Sequence, residues 1–346
     1  MRKLLVIAGP CSAESREQVL ETAQGVAAAG AGMLRAGLWK PRTRPGTFEG
    51  VGEQGLGWLL EAGRSTGLKV CTEVECAEHV RACVSAGVDA VWIGARTTAN
   101  PFMVQEIAQA LSGSPLTVFV KNPVNPDIEL WAGAVERLKA CGVADIGIIH
   151  RGFTSSAPIS YRNDPQWRIA LEMRSRYPQM PFLCDPSHLG GSRDLITPIA
   201  QKALDLGLDG LMVEVHRNPS EALSDSEQQL DPKEFAALLS GLVVRCSEFP
   251  DNSERSALEA LRSRIDSLDE EIISLLSERM KVSREIGQTK KRGNVAIVQT
   301  SRWEEVLGRA LEYARSCGLD EDFTRNIFNS IHEASVEEQN KILEKK

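Results

Sequence analysis

The chain has 346 residues, more than one ordinary domain holds, so two domains are expected. Hydrophobic residues make up 42% and charged residues 25% of the chain, which is the balance of a globular protein with a sizeable core. The net charge of −7 gives no reason to expect a nucleic-acid partner, although a single cleft can still bind phosphate locally.

The first residues and the cysteines bear on location. MRKLLVIAG joins a basic start to an apolar run that is shorter than the apolar region of a signal peptide, so it predicts a first strand. No stretch reaches the roughly 18 apolar residues of a membrane span, and no membrane contact is expected. The eight cysteines are scattered without a CxxC pair, which favours reduced thiols and a cytoplasmic location.

Short β-rich runs recur along the first two thirds of the chain, separated by helix-like stretches that often end at Gly. The runs are 4–8, 33–36, 69–74, 90–93, 117–120, 146–149, 181–184 and 210–215. Eight alternating β and α units favour a closed parallel barrel over an open sheet. Residues 1–245 are therefore predicted to form an α/β domain, a (β/α)8 TIM barrel.

The pattern changes after the barrel. Residues 246–255 supply Pro, Asn, Ser and mixed charges, as in a linker. Residues 256–346 almost lack strand signals and predict an all-α domain of three helices, broken at Gly293 and at Cys317. The first helix is the longest and carries an apolar stripe at three- and four-residue spacing, Leu258, Leu261, Ile265, Leu268, Ile272 and Leu275. A lone helix of this kind needs a partner, which predicts a homodimer or a higher homo-oligomer.

Four side chains with metal-ligand chemistry follow strands of the predicted barrel. Cys11 follows the first strand, His188 the seventh and Glu214 lies in the eighth, with Asp225 in the next loop. The carboxyl ends of barrel strands share one rim, where active sites lie. A thiolate, an imidazole and two carboxylates suit a divalent transition metal, which can polarise a carbonyl or a water molecule. Taken singly, a buried inert Cys or a structural His is the more common case.

These segments carry a resemblance to a known family. AGPCSAES, KPRT (40–43), GAR (94–96), CDPSH, and MVEVH followed by ALSDSEQQLDP resemble the type I-beta 3-deoxy-D-arabino-heptulosonate 7-phosphate (DAHP) synthases, in order over residues 1 to 245. The resemblance implies a shikimate-pathway transferase that condenses phosphoenolpyruvate with erythrose 4-phosphate. It also implies a divalent metal (Mn, Co, Fe or Zn) on Cys11, His188, Glu214 and Asp225. A barrel that serves only as a binding scaffold does not account for a complete ligand set.

Cationic side chains also follow the strands, and phosphorylated substrates require them. They are Lys40, Arg42, Arg96, Lys121 and Arg151. Each alone could be a solvated surface residue. By resemblance, Arg96, Lys121 and Arg151 bind phosphoenolpyruvate and Lys40 is catalytic near its reacting end. By the same resemblance, Arg42 and Thr43 face erythrose 4-phosphate.

Two further positions near these motifs were considered. Arg44 departs from the Ser or Thr that follows KPRT in many relatives, and the interpretation of a surface residue is slightly favoured over an extra cation in the site. The nearest competing family, 3-deoxy-manno-octulosonate 8-phosphate synthase, typically shows KANRSS here, so residues 41–43 favour the four-carbon aldose. His216 lies two residues after a predicted ligand and is expected to support it.

The helical region carries a second resemblance. Basic residues every few turns are common on exposed helices. However, ALRSRIDSLDEEIISLLSERMKVSREIGQTK resembles the first helix of the all-helical chorismate mutases, and the match covers residues 256 to about 343. It implies an isomerase that rearranges chorismate to prephenate, with catalytic Arg279 and Lys290. The implied substrate-binding residues are Arg262, Arg302, Ser335 and Gln339, with Arg262 reaching the site of the other protomer.

The helical region also departs from this family. Gln299 stands where relatives often have Asp, and Trp303 stands where many have a Glu that contacts the substrate hydroxyl, with Glu304 next to it. Weaker mutase activity is one expectation. The alternative is a regulatory and dimerising module with little catalysis. Both are compatible with feedback inhibition of the synthase by prephenate or chorismate through the fusion.

Overall fold

The structure is a computed structural model that describes residues 4–40, 46–155, 160–245 and 252–344. The chain divides into two compact units, Met1–Ser247 and Glu248–Lys346. Among the described helices, none combines the length and the apolar character that a membrane crossing requires.

Eight parallel strands close the first unit into a barrel, in which each strand pairs with its sequence neighbours and the last pairs with the first. The strands are β1 Leu5–Gly9, β2 Met33–Arg35, β3 Lys69–Val74, β4 Ala90–Ile93, β5 Thr117–Lys121, β6 Ile146–His150, β7 Phe182–Cys184 and β8 Gly210–Glu214. Every bound lies within one residue of its predicted run. The predicted (β/α)8 barrel is confirmed.

Helices connect the strands on the outside of the barrel. They are α1 Arg16–Ala28, α2 Gln54–Thr66, α3 Ala77–Ala86, α4 Ala95–Thr98, α5 Pro101–Ala110, α6 Ile128–Ala140, α7 Trp167–Arg176, α8 Pro186–Gly190, α9 Arg193–Asp205 and α10 Pro232–Gly241. Their ends follow local chemistry. The side chains of Asn100 and Asp127 cap the N-termini of α5 and α6, and left-handed Gly67 and Gly87 end α2 and α3.

The barrel interior is filled by a small apolar cluster, distinct from the larger core between strands and helices. Its buried members are Ile7, Met33, Cys71, Ala90, Trp92, Phe119, Ile149, Leu183 and Met212. Because this plug closes the barrel, a ligand can enter only at a rim. At the rim, Gly9 has φ +148°, and a Cβ built there would lie 2.1 Å from the Arg35 carbonyl oxygen. Only glycine lets β1 approach β2 this closely and carry Cys11 into the rim.

The second unit consists of three helices, α11 Asn252–Gly293, α12 Thr300–Ser316 and α13 Glu321–Glu344, as predicted. Of the predicted linker, residues 246–251 lie outside the described residues. Residues 252–255 already belong to α11, because Asn-Ser-Glu-Arg contains no helix-breaking residue. The boundary of the domains stays a prediction.

The first half of α11 is exposed in a single copy of the chain. Leu261 is 60% and Leu275 66% exposed, and Ile265, Leu268 and Ile272 are similarly uncovered. Within the described residues, the predicted apolar stripe therefore finds no cover. Contiguous apolar surface of this kind is unusual on a monomer.

Candidate active sites

Three predicted metal ligands meet at the carboxyl end of the barrel. One ligand atom each of Cys11, Glu214 and Asp225 lies within 4.8 Å of the others. The Cys11 Sγ lies 3.4 Å from the Asp225 Oδ2. The fourth predicted ligand, His188, places its Nε2 3.7 Å from the Glu214 Oε1. Residues more than 200 positions apart in the chain thus share one point of the rim.

Buried polar contacts fix these side chains. The Cys11 backbone N–H donates to the Gln229 Oε1 at 2.9 Å, and the Gln228 Nε2 donates to the Glu214 Oε2 at 2.6 Å. The Arg35 guanidinium lies 3.1 Å from the Glu214 Oε1, and both side chains are fully buried. Arg35 also stacks over the Trp92 ring at 4.8 Å. Arg35 from β2 and Gln228 therefore hold the Glu214 carboxylate in a fixed orientation.

Asp185 links the metal-ligand group to the cationic part of the rim. Its Oδ2 lies 2.7 Å from the Lys121 Nζ and 2.8 Å from the His188 Nδ1, and its Oδ1 accepts the His188 backbone N–H. Burial alone would raise the pKa of this carboxyl, but the charges of His188 and Lys121 outweigh it and hold the pKa well below its usual range. Asp185 is thus a buried anion between two predicted site residues.

The chemistry of the donor set fits a bound cation. The buried Glu214 Oε1 accepts no hydrogen bond within the described part of the chain. Burial, and next the charge of Glu214, raise the pKa of the Cys11 thiol to about 12. A divalent ion would reverse this balance, because it favours the thiolate and neutralises the carboxylates. Cys11, Glu214 and Asp225, with the His188 imidazole beside Glu214, offer the donor types of a divalent-metal site.

A cavity of about 430 Å³ opens beside this group. Four of the five predicted rim cations line it, namely Lys40, Arg96, Lys121 and Arg151. The Lys40 Nζ also donates to the Cys11 Sγ at 3.0 Å, so the cavity and the metal-ligand group are one site. Such a concentration of positive charge, with few apolar walls, suits an anionic ligand.

Polar neighbours hold Arg151 in this cavity. Its Nη1 donates to the Asn163 Oδ1 at 2.9 Å, and its backbone N–H donates to the Asn122 Oδ1 at 2.7 Å. Burial lowers the pKa of the Arg151 guanidinium to about 10. It therefore remains protonated at neutral pH, and a bound anion would stabilise that charge.

A second cavity of about 380 Å³ lies in the helical unit. It is lined by Arg279, Val282, Ser283, Ile286, Lys290, Ile297, Gln299, Arg302, Trp303, Val306, His332, Ser335, Val336 and Gln339. The Arg279 Nη1 donates to the Ser335 Oγ at 2.7 Å, and the Gln339 Nε2 donates to the Ser283 Oγ at 3.1 Å. These bonds join α11 to α13 across the floor of the cavity.

Comparison with known proteins decides the family. Residues 2–245 match the DAHP synthetase I family. The chain belongs to this family. Residues 261–340 match the family described as chorismate mutase type II. Both families expected from the motifs are thereby confirmed, and the chain joins a DAHP synthase domain to a chorismate mutase domain.

The relatives of the synthase domain are bacterial aldolases of two kinds. A phospho-2-dehydro-3-deoxyheptonate aldolase of Thermotoga maritima is 36% identical over 234 residues, 68% of this chain and 67% of the relative. A 2-dehydro-3-deoxyphosphooctonate aldolase of Albidiferax ferrireducens is 27% identical over 267 residues, 70% of this chain and 90% of the relative.

Two solved structures that are similar to the barrel also belong to DAHP synthases of Thermotoga maritima. The crystal structure of a Thermotoga maritima DAHP synthase superposes with a TM-score of 0.62 at 33% identity, covering 68% of this chain and 67% of that chain. A truncated form of the synthase from the same organism gives a TM-score of 0.60 at 31% identity, covering 68% and 84%.

Some predicted site residues fall elsewhere. Arg42, Thr43 and Arg44 lie outside the described residues. His216 does not contact Glu214 through its ring. Its Nδ1 accepts the Asn218 backbone N–H at 3.0 Å, and its Nε2 lies 3.4 Å from Glu14. His216 thus links the segment after β8 to Glu14 in the segment after β1, and its support of the metal-ligand group stays a prediction.

In the mutase domain, five predicted positions line the cavity together, namely Arg279, Lys290, Arg302, Ser335 and Gln339, and two others do not. Glu304 is exposed and lies outside the lining, so it does not take the place of a Glu at position 303. Arg262 is also exposed and lies 17 residues before Arg279 on the same helix, about 26 Å along its axis at 1.5 Å per residue. It cannot enter the cavity of its own chain.

Two of the charged residues that line the synthase cavity were not predicted from the sequence. Arg162 lines the cavity and lies 3.1 Å from the Asp225 Oδ1, although it belongs to the irregular segment after β6. Glu73, at the end of β3, lines the cavity as well. The position of Glu73 at a strand end was a usable signal, whereas nothing local distinguishes Arg162 from an exposed loop residue.

Replacing Asp185 by Asn is expected to destabilise the barrel by about 3 kcal/mol, because it leaves the buried Lys121 without its counter-charge. Urea unfolding followed by tryptophan fluorescence measures this, since five of the six tryptophans lie in the barrel. Adding Lys121→Met should restore most of the stability but not DAHP formation. Equal stability of Asp185→Asn and the wild type would contradict this account.

Proposed function

We propose that the barrel condenses phosphoenolpyruvate with erythrose 4-phosphate and water to give DAHP and phosphate. The observation that carries the proposal is a single cavity lined by four cations, Lys40, Arg96, Lys121 and Arg151, next to the metal-ligand group. Two phosphorylated substrates need this much fixed positive charge, and the reaction needs a polarised carbonyl next to it.

Each group has a proposed task in this reaction. Arg96, Lys121 and Arg151 bind phosphoenolpyruvate, while Arg42 and Thr43 bind the phosphate end of erythrose 4-phosphate. C3 of phosphoenolpyruvate bonds to the aldehyde carbon, whose oxygen takes up a proton. Water adds its hydroxyl to C2, and the C2–O bond to phosphate breaks. Lys40 lies between the cavity and Cys11, so it is the candidate proton carrier.

Cys11, His188, Glu214 and Asp225 are proposed to hold the divalent transition metal, Mn, Co, Fe or Zn. The bound ion supplies Lewis-acid polarisation of the aldehyde oxygen. The protein's own part is orientation. Asp185 fixes the His188 ring and Arg35 fixes the Glu214 carboxylate, so the ligand atoms are held in place before the ion binds.

Chelation is expected to abolish DAHP formation and to leave mutase turnover intact, because the metal-ligand group found among the described residues lies in the barrel. Adding back a divalent transition metal should restore the synthase.

Cys11→Ala should lower metal affinity by at least tenfold, measured by calorimetric titration with Mn²⁺. Full synthase activity of Cys11→Ala would refute the ligand assignment. Parallel assays with arabinose 5-phosphate should give little product.

The helical domain is proposed to rearrange chorismate to prephenate. The reaction is pericyclic and needs no covalent catalyst, so the site has to fold a dianion and stabilise charge on the breaking ether bond. Arg279 and Arg302 are proposed to bind the carboxylates, with Ser335 supporting Arg279 at 2.7 Å. Lys290 and Gln339 are proposed to face the ether oxygen.

We propose that this site is completed by a second copy of the chain. Leu261, Ile265 and Leu268 are exposed on the same half of α11 that carries Arg262. Pairing two copies through this stripe would bury it and carry Arg262 to the partner's cavity. A dimer is therefore a requirement of the mutase, and higher assembly is left open.

Mixing two inactive variants tests this arrangement. Arg262→Ala and Arg279→Ala should each lose chorismate turnover by 100-fold or more. After co-refolding, a mixed dimer contains one site with both arginines intact, so about a quarter of the sites should recover. If no activity returns although mixed dimers form, Arg262 does not act across the interface. Each variant should bind Mn²⁺ like the wild type.

The fusion is further proposed to regulate the synthase. A site that binds chorismate or prephenate can change barrel activity if its ligand favours one state of the whole chain. Feedback inhibition by an end product of the pathway branch is the expected direction. A cytoplasmic location remains a prediction.

Prephenate or chorismate at saturation is therefore expected to slow DAHP formation by several-fold. Arg279→Ala should abolish the inhibition without changing the uninhibited synthase rate, because it removes the binding site only. Steady-state assays on both proteins measure this. Inhibition of equal strength in Arg279→Ala would place the inhibitor elsewhere, and an unaffected wild-type rate would remove the regulatory proposal.

A further inference from the structure

An aromatic pair forms one wall of the mutase cavity. The rings of Trp303 on α12 and His332 on α13 stack with their centroids 4.0 Å apart and their planes 16° from parallel. Both side chains are partly buried and both line the cavity. The pair joins two helices, but neither ring belongs to the apolar core. We therefore expect the pair to contact the ligand that fills the cavity.

The charges around the cavity indicate which group of the substrate this wall has to bind. The lining contains the cations Arg279, Lys290 and Arg302 and, within the described residues, no carboxylate. Chorismate brings two carboxylates, an ether oxygen and one ring hydroxyl. The cations match the carboxylates and the ether. The hydroxyl needs a neutral partner that can donate or accept a hydrogen bond.

Most neutral groups of the cavity are already engaged. The Ser335 Oγ accepts from Arg279 and donates to the Ile331 carbonyl oxygen at 2.8 Å. Ser283 accepts from Gln339 and donates to the Ser335 carbonyl oxygen at 3.3 Å. Gln339 faces the ether oxygen in the proposed function. These three side chains therefore hold the floor of the cavity.

The Trp303 indole N–H, His332 and Gln299 remain. The indole can donate but cannot accept a hydrogen bond, and the other two residues differ in how firmly they are held. Gln299 is an exposed residue at the start of α12 whose side chain makes no capping hydrogen bond. The His332 ring is fixed by the stack, and neither of its nitrogens makes a hydrogen bond to any described residue. A fixed ring with free nitrogens on a cavity wall is a ready ligand contact.

The charge state of His332 agrees with this role. Burial, and after it the charge of Arg279, lower the pKa of its imidazole below the ordinary value; Glu333 on the same helix opposes this, and Lys290 adds to the lowering. Arg302 on α12 adds a further positive charge to the same cavity. A neutral imidazole offers one donor and one acceptor, which is what a hydroxyl requires.

We propose that His332 is a substrate-contacting residue of the mutase, which hydrogen-bonds to the ring hydroxyl of chorismate, and that Trp303 is a positioning residue that holds the imidazole by stacking. The inference rests on the proposed mutase site in this cavity. It assigns the specificity for the hydroxyl to an aromatic pair in place of a carboxylate.

Paired substitutions separate the ring from its nitrogens. His332→Phe keeps a stacked ring and removes both nitrogens, so kcat/KM for chorismate should fall by about tenfold to 100-fold, as for a lost hydrogen bond in a site built to make it. His332→Gln keeps a hydrogen-bonding group and should recover part of that loss. Trp303→Phe should stay near the wild type, whereas Trp303→Ala should approach His332→Phe. Tyr313→Ala, an exposed aromatic residue of α12, is the matched control and should change nothing.

A chorismate analogue with hydrogen in place of the hydroxyl gives the decisive comparison. The wild-type chain should turn over this analogue with a kcat/KM reduced by the same factor as His332→Phe with chorismate. His332→Phe should treat the two substrates alike, because the interaction is already absent. Helix content by circular dichroism shows that each variant is folded, and the wild-type measurement with the analogue needs no variant.

Two results would overturn the inference. One is an unchanged kcat/KM of His332→Phe with chorismate, and the other is an equal preference of wild type and His332→Phe for chorismate over the analogue. Arg279→Ala separates these from failure of the mutase site itself. If Arg279→Ala loses turnover while His332→Phe keeps it, only the role of His332 is wrong. If Arg279→Ala retains turnover, the cavity is not the site.

Discussion

Two buried carboxylates at the rim of the barrel impose the main physical constraint on this structure. Glu214 and Asp185 are both withdrawn from water, and each needs positive charge within about 3 Å to remain ionised. Arg35 serves Glu214, while Lys121 and His188 serve Asp185. Because these partners come from β2, β5 and α8, the charge balance ties distant strands together at the point where the chemistry is proposed.

This balance also prepares the site for a cation. Glu214, which is paired with Arg35, also lies with Cys11 and Asp225 in one group of possible metal ligands. The protonated thiol of Cys11, which has Glu214 and Asp225 within 4.8 Å, marks where a further positive charge would be stabilised. The rim thus has mainly acidic groups around Cys11 and mainly basic groups in the cavity beside it. Lys40 lies between the two, because it lines the cavity and donates to the Cys11 Sγ.

The cavity of the helical domain is built without buried ion pairs among its lining residues. Arg279 and Lys290 line this cavity and lie 11 residues, about three turns, apart on α11, so helix register alone brings them to one face. Its floor is held by uncharged hydrogen bonds, and its remaining wall is the stack of Trp303 on His332. The cavity has a volume of about 380 Å³, and the apolar stripe of α11 and Arg262 are exposed outside it.

The amino-acid sequence by itself determined the architecture and much of both sites. Strand bounds followed from local apolar runs. Cys11 and Glu214 followed from their positions at strand ends and Asp225 from the loop after β8, because parallel strands of a barrel deliver their carboxyl ends to one rim. Only the tertiary structure decided that Asp185 bridges Lys121 and His188, that Arg162 reaches Asp225 from an irregular segment, and that Trp303 stacks on His332. These pairs lie 29 to 64 residues apart, except the neighbours Asp185 and His188, and no periodic pattern links them. Their meeting depends on how loops and helices pack, which local sequence preferences do not specify.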